Sequence, residues 1–199
     1  MKLRYVTNSP FCRKVAIAAR VLKFDQRIEM VNSDDDVGDV VRPSNPLNKI
    51  PILITDDGKA IYDSSVIVRY LDALAGGGIL VPAPPAEQCR VMTMEALADG
   101  IMDALGLISQ EERWHAPGQV SAKWVAHQRL KIEKGLDWLN ANLPASHADA
   151  GSIAVASMLG YLDLRDKQPW RDGRDQLAGW FESFAASVPG FAETAPGRL

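Results

Sequence analysis

Ser9 heads a run, Ser9-Pro10-Phe11-Cys12-Arg13-Lys14, whose residue types could manage an anion. Ser is favoured at a helix N-cap and Pro at the first helical position, so a helix starts here and turns its positive end toward whatever lies beside Ser9. A hydroxyl donor and a helix end together can stabilise negative charge without a general base. Ser9 and Cys12 also have the spacing of a redox Cys-x-x-Cys pair whose first, nucleophilic Cys has become Ser. Without that partner, Cys12 reads as a small packed residue. Arg13 reads as half of a structural ion pair. Asp63 and Ser64 suit a second helix start. Lys49 is a charge at the start of a strand. Pro51, between Ile50 and Ile52, sits where a strand tolerates proline and where a cis bond can form. Each of these residues also has a plain structural role, as cap, solvated charge or strand end.

The remaining reactive side chains form no site. Cys12 and Cys89 lie far apart, and His115, His127 and His147 are scattered without acidic or Cys partners at ligand spacing, so no metal site is expected. With 22 Lys and Arg against 25 Asp and Glu, the chain has a net charge of -3 and no basic block, a poor match to nucleic acid or to an anionic membrane. No apolar run approaches the roughly 20 residues of a membrane span. Met1 to Val6 is short and charged, unlike a secretory signal, and a reducing cytoplasm is the expected compartment.

Two kinds of element must position these residues. Lys2 to Val6 reads as a strand, and Phe11, Val15, Ala18, Ala19 and Leu22 give the following helix one apolar stripe. Arg27 to Val31 is a second strand, completing a βαβ unit expected to be parallel. Asn32 to Asn45 is polar and Asp-rich, with content for a short, loosely packed helix at most. Lys49 to Thr55 and Lys59 to Tyr62 are strands joined by a hairpin turn at Asp56-Asp57-Gly58. The helix capped by Asp63 and Ser64 carries Val66, Ile67, Tyr70, Leu71 and Leu74, and Gly76-Gly77-Gly78 stops it.

Residues 76–86, with three Gly and three Pro, separate this strand-bearing half from one without strand patterns. The domains are therefore expected at 1–75 and 87–199. Helices are expected from Glu87 to about Trp114, from Ser121 to Leu143 with Trp124, Leu130, Ile132, Leu136 and Leu139 on its stripe, and from Asp175 to Val188. Ser152 to Arg165 is apolar all round and belongs at the centre of a helical bundle.

Three segments in this order carry a resemblance to the cytosolic glutathione S-transferases. Ser9-Pro10-Phe11-Cys12-Arg13 is similar to the active-site turn of serine-type, theta-like bacterial members. Asn45-Pro46-Leu47-Asn48-Lys49-Ile50-Pro51-Ile52-Leu53 resembles the NPxGKVPxL segment, and Asp63-Ser64-Ser65-Val66-Ile67 resembles the (E/D)SxxI segment. The resemblance extends across the whole chain. It implies an α/β plus all-α protein: an N-terminal thioredoxin-like βαβ-ββα domain followed by a helical bundle. Asn48 stands where the family has Gly, which is expected to alter the local backbone. The buried helix keeps its Ser152 cap but has Val155 where the family pattern S/T-x-x-D places Asp.

The resemblance implies glutathione as co-substrate, a cytoplasmic homodimer, and a role in detoxifying an electrophilic small molecule. Asp63 then pairs with the γ-glutamyl ammonium, Ser64 and the helix amides hold its carboxylate, Ile50 before Pro51 offers N–H and C=O to the dipeptide, and Lys49 meets the glycyl carboxylate. The sulfur falls near Ser9. A thiol of pKa about 8.5 needs about 2.7 kcal/mol to move down two units. A Ser9 hydroxyl hydrogen bond of about 1.5–3 kcal/mol and a helix end of up to about 2 supply that. Asp99 and Asp103 either face the ligand across a dimer or stay solvated, and Met102, Leu105, Trp114 and Tyr161 either line the electrophile pocket or pack in the core. Alternative readings are a glutathione-dependent disulfide reductase or peroxidase, and a non-catalytic binding or regulatory protein that kept the fold.

Overall fold

The computed structural model describes residues 1–34, 41–116, 118–165, 169–196 and 198. Among them, β1 (Lys2–Tyr5) buries alternate residues, Leu3 and Tyr5, as a sheet strand must. Its chain turns into α1 (Pro10–Val21), and β2 (Glu29–Asn32) returns parallel to β1 after a short 3-10 turn at Asp25–Arg27. The expected βαβ unit is present, with its second strand starting two residues late. β3 (Ile52–Ile54) and β4 (Ala60–Ile61) form the antiparallel hairpin, giving the sheet order β2-β1-β3-β4. These strands are shorter than the alternation suggested. Of the polar segment expected at 32–45, residues 35–40 lie outside the described residues, and 41–44 form a turn.

The helix α2 (Ser64–Leu74) follows β4, but its buried stripe is Ile67, Val68 and Leu71 with Ser64 and Asp72. Val66 and Leu74, expected inside, are both nearly half exposed. Asp72 explains the shift. Its carboxylate turns inward and accepts the backbone N–H groups of Gly78 at 3.1 Å, Ile79 at 3.1 Å and Leu80 at 2.7 Å. The Gly- and Pro-rich connection is thus fastened to α2, and the Leu80 carbonyl in turn accepts the N–H of Ala150.

Four helices follow: α3 (Pro85–Trp114), α4 (Ala122–Ala141), α5 (Ala150–Arg165) and α6 (Asp175–Ser187). As its composition requires, α5 is central, buried without a break from Ala150 to Gly160, and it packs on α3, on α6 and on α1 of the first half. Gly151 lets it touch α3, because a Cβ there would lie 2.8 Å from the Val91 carbonyl oxygen. Two expectations fail. Ser152 is not the cap of α5. The helix begins earlier, Asp149 accepts from Ser152 N–H at 2.7 Å, and Ser152 Oγ accepts from Asp149 N–H at 2.8 Å. The capping box is closed with its acid first and its hydroxyl third, so Val155 leaves no cap missing. On α4, Trp124 and Leu130 face outward while Gln128 and Gly135 lie inside with Ile132, Leu136 and Leu139.

Candidate functional site

The strand register brings the three family-like segments to one end of the sheet. Arg4 of β1 pairs with Ile52 of β3, and Leu53 of β3 with Ile61 of β4. One step further along, the end of β1 leads into the turn at Ser9, β3 begins from Ile50 and Pro51, and β4 ends at Tyr62 and Asp63. The Ile50–Pro51 bond is cis, as is Tyr62–Asp63. Pro51 is buried, Ile50 is half-buried and Lys49 is exposed. Asn45 holds the loop leading here, its side chain donating to the Lys49 carbonyl at 2.8 Å and accepting from Leu47 N–H at 3.0 Å. Asn48 has φ 54, the left-handed conformation that glycine adopts most easily and asparagine next. Asn48 thus sits in a backbone conformation that Gly would also adopt.

Ser9 is half-buried and caps α1, with its Oγ accepting the Cys12 N–H at 3.3 Å. The turn before it is fastened to the end of β2. Thr7 donates from both N–H and hydroxyl to Asp34, and Asn32 also donates to Asp34. The Thr7 hydroxyl, then Asn32, hold the Asp34 carboxyl below the usual carboxylate range. Cys12 is fully buried beneath the turn, and burial pushes its thiol up to about 11 in spite of the Ser9 hydroxyl. It is a packed residue and stays protonated at neutral pH.

At the second helix start, Asp63 caps α2, its Oδ1 accepting the Ser65 N–H at 3.0 Å and hydroxyl at 2.6 Å. Partial burial works to raise its pKa, but the Ser65 hydrogen bonds and the charge of Lys14 outweigh it and hold the carboxyl low. Ser64 is buried at the first position of the helix.

Behind these groups lies a charge cluster the residue types alone did not announce. Lys14 is 0% exposed, and its Nζ pairs with Glu95 at 3.2 Å and Asp99 at 2.8 Å. Arg69 of α2 donates to Glu95 at 2.8 Å and to the Ser65 carbonyl at 2.6 Å. The cluster ties α1 and the start of α2 to α3. Asp99 is thus an internal partner, and burial raises its pKa to about 6 against the pull of Lys14. Asp103 is exposed. The available signal was Lys14 standing inside the apolar stripe of α1, three residues after Phe11 and four before Ala18, opposite an i, i+4 acid pair on α3.

Beside Ser9 lies a narrow cleft of about 10 Å³, room for about one water, lined by Ser9, Arg13, Ser157, Tyr161, Thr194 and Pro196 among others. Of the expected electrophile-pocket residues only Tyr161 lines it. Met102 and Leu105 are core, and Trp114 is 75% exposed at the end of α3. Arg13, expected in an ion pair, makes none among the described residues. It donates to the Phe191 carbonyl at 3.1 Å and stacks on the Phe191 ring. Among the described residues no group of three or more His, Cys, Asp or Glu could hold a metal ion, and no helix is long and apolar enough to cross a membrane.

A four-stranded mixed sheet whose βαβ-ββα order ends in two helix N-termini at one edge, joined to a bundle around a buried central helix, is the architecture of a glutathione S-transferase. Residues 3–78 match the family model for the glutathione S-transferase N-terminal domain, and residues 122–183 match that for the C-terminal domain. The chain belongs to this family. It is 36% identical over 205 residues to the uncharacterized GST-like protein YibF of Escherichia coli K12, covering 98% of each chain. It is also similar to a glutathione transferase family member from Pseudomonas fluorescens Pf-5 solved with bound glutathione, at 36% identity, TM-score 0.91 and 98% coverage of both chains. A second structure from that organism holds S-(propanoic acid)-glutathione, at 37% identity, TM-score 0.88 and coverage of 98% and 99%.

Proposed function

We propose that this protein is a glutathione transferase in which the Ser9 hydroxyl stabilises the glutathione thiolate for attack on an electrophilic small molecule. The observation that carries this reading is the direction of the Ser9 cap. Its oxygen accepts the Cys12 N–H, and its own O–H, within reach of the Cys12 thiol, is free to turn to a thiolate at the positive end of α1. A hydroxyl that donates favours the thiolate over the thiol, and it serves without becoming the nucleophile.

The rest of the tripeptide follows the same end of the sheet. Both cap bonds of Asp63 use Oδ1, which leaves Oδ2 for the γ-glutamyl ammonium. The Ser64 position and the α2 amides take the neighbouring carboxylate. Ile50, ahead of cis Pro51, offers its backbone polar groups to the dipeptide, and exposed Lys49 reaches the glycyl carboxylate. In this reading residues 1–75 carry glutathione, 87–199 supply the electrophile side, and 76–86 join them. The protein works as a cytoplasmic homodimer that clears electrophiles. The glutathione complexes of the Pseudomonas relative support the choice of ligand.

Titration with glutathione, following both binding and thiolate absorbance, tests the proposal. Saturable binding with a thiol pKa below that of free glutathione is expected. No detectable binding would refute it.

A further inference from the structure

Lys14 acts on more carboxylates than the two it pairs with. Its Nζ donates to Glu95 at 3.2 Å and to both oxygens of Asp99, at 2.8 and 2.9 Å. Its charge also reaches Asp63, the cap of α2, and Asp63 and Asp99 repel one another through space. Arg69 joins the set from α2, donating to Glu95 and to the carbonyl of Ser65, the residue whose N–H and hydroxyl Asp63 holds. The charged groups facing Asp99 are therefore Lys14 on α1, Glu95 on its own helix and Asp63 at the start of α2, with Arg69 behind Glu95. Asp103, one turn further along α3, is exposed. Asp99 differs from Glu95 in reaching water, its side chain being 22% exposed against 2%. Burial still raises its pKa to about 6, and the partial exposure gives the proton a way out.

A cation brought to Asp63 changes this balance. The γ-glutamyl ammonium, seated on Oδ2 of Asp63, puts a positive charge where Asp99 otherwise meets only a negative one. It offsets the field of Asp63 at Asp99 and so favours the Asp99 carboxylate over the acid. By linkage the reverse holds, and a protonated Asp99 weakens the hold on the ammonium by the same factor. If the bound ammonium lowers Asp99 by about one unit, that factor is about tenfold.

We propose that Asp99 is a positioning residue for the ligand's ammonium group, acting through the field it shares with Lys14 and Asp63, and that it gives up its proton when the ammonium binds. This rests on the glutathione reading above and adds a proton to its binding equilibrium. No bond in the ligand changes. The O–H bond of the Asp99 carboxyl breaks, its electron pair stays on the carboxylate and the proton passes to solvent. The pH dependence has a definite sign. Above about pH 7 Asp99 is ionised with or without ligand, and its effect on affinity is constant. Between about pH 6 and pH 5 the free protein holds the proton and the complex does not, so affinity falls as pH falls.

The test uses S-methylglutathione, whose sulfur carries no proton, so that ionisation of a thiol does not enter the count. Calorimetric titration at about pH 5.5 in two buffers of different ionisation enthalpy measures the protons released on binding. The wild-type protein is expected to release about half a proton, with affinity falling about fivefold between pH 7.5 and pH 5. The analogue with hydrogen in place of the γ-glutamyl amino group should release none, and this comparison needs no variant. Asp99→Asn should abolish the release with S-methylglutathione and Asp99→Glu should keep it, whereas a merely structural Asp99 would shift affinity alike at every pH and leave the proton count unchanged. A wild-type affinity level across this range, a release that does not depend on the amino group, or one that survives in Asp99→Asn would overturn the coupling while leaving the glutathione reading standing. Failure of both glutathione and S-methylglutathione to bind would overturn both.

Discussion

Ser9 caps α1 and is proposed to hold a thiolate, and the two roles can be separated by substitution. Its oxygen accepts the Cys12 N–H at 3.3 Å, and its proton is the one assigned to the thiolate. Ser9→Ala loses both. The cap loss should lower stability by about 1 kcal/mol. Loss of a hydrogen bond to a charged group should weaken thiolate stabilisation by about 1.5–3 kcal/mol, or about one to two pKa units. Ser9→Gly is the control, since Gly at an N-cap costs only a few tenths of a kcal/mol. It should keep stability and still lose the pKa shift. Ser9→Thr should retain most of both. The assay is the thiolate absorbance of bound glutathione against pH, with urea melts of the free variants alongside. The conjugation rate should follow the same titration, its rising limb moving to higher pH by the same one to two units. An unchanged thiol pKa in Ser9→Gly would refute the assigned role and leave Ser9 a cap only.

Other parts of the molecule yield separate expectations. Lys14→Met leaves Glu95 and Asp99 without their buried cation and should cost about 3–5 kcal/mol, read by urea denaturation. Asp99, raised from 3.8 to about 6, binds its proton more tightly when folded. Its stabilising share is therefore present below pH 4 and lost as pH rises through about 6, a fall of about 2–3 kcal/mol. The stability curve of Asp99→Asn should lack that fall relative to wild type, and parallel curves would contradict the shift. Asp72→Ala strands the three N–H groups of residues 78–80 and should cost about 2–4 kcal/mol in thermal or urea unfolding. At φ 54, Asn48→Gly should be tolerated without loss of stability, whereas Asn48→Ala should cost about 1 kcal/mol by the same measurement.

What could be read in advance was local. Ser9 before Pro10 caps a helix because the cap bond reaches only three residues. Gly58, at φ 82, turns the hairpin, and the unbroken apolar face of α5 can only be buried. The three family-like segments were legible for the same reason, since each is a short run whose own backbone makes its shape. Where a local reading failed, another equally local answer was available, as with Asp149 capping α5 in place of Ser152.

Tertiary structure decided which charges meet. Lys14 finds its acids 81 and 85 residues away, and Arg13 its carbonyl 178 residues away. Helical periodicity describes one face of one helix and says nothing of the neighbour that face will touch. A lysine inside an apolar stripe is thus an error or a buried ion pair until α3 is laid against α1. Val66, Leu74 and Trp124 carry the opposite lesson, because they are apolar at stripe-like positions yet stay exposed once Asp72 and Gln128 turn inward. The amino-acid sequence by itself determined where anions could be held, at two helix starts and a proline-led strand. Packing of the two halves determined what stands behind them, the Lys14–Glu95–Asp99 cluster and Arg13 held by the carbonyl and ring of Phe191.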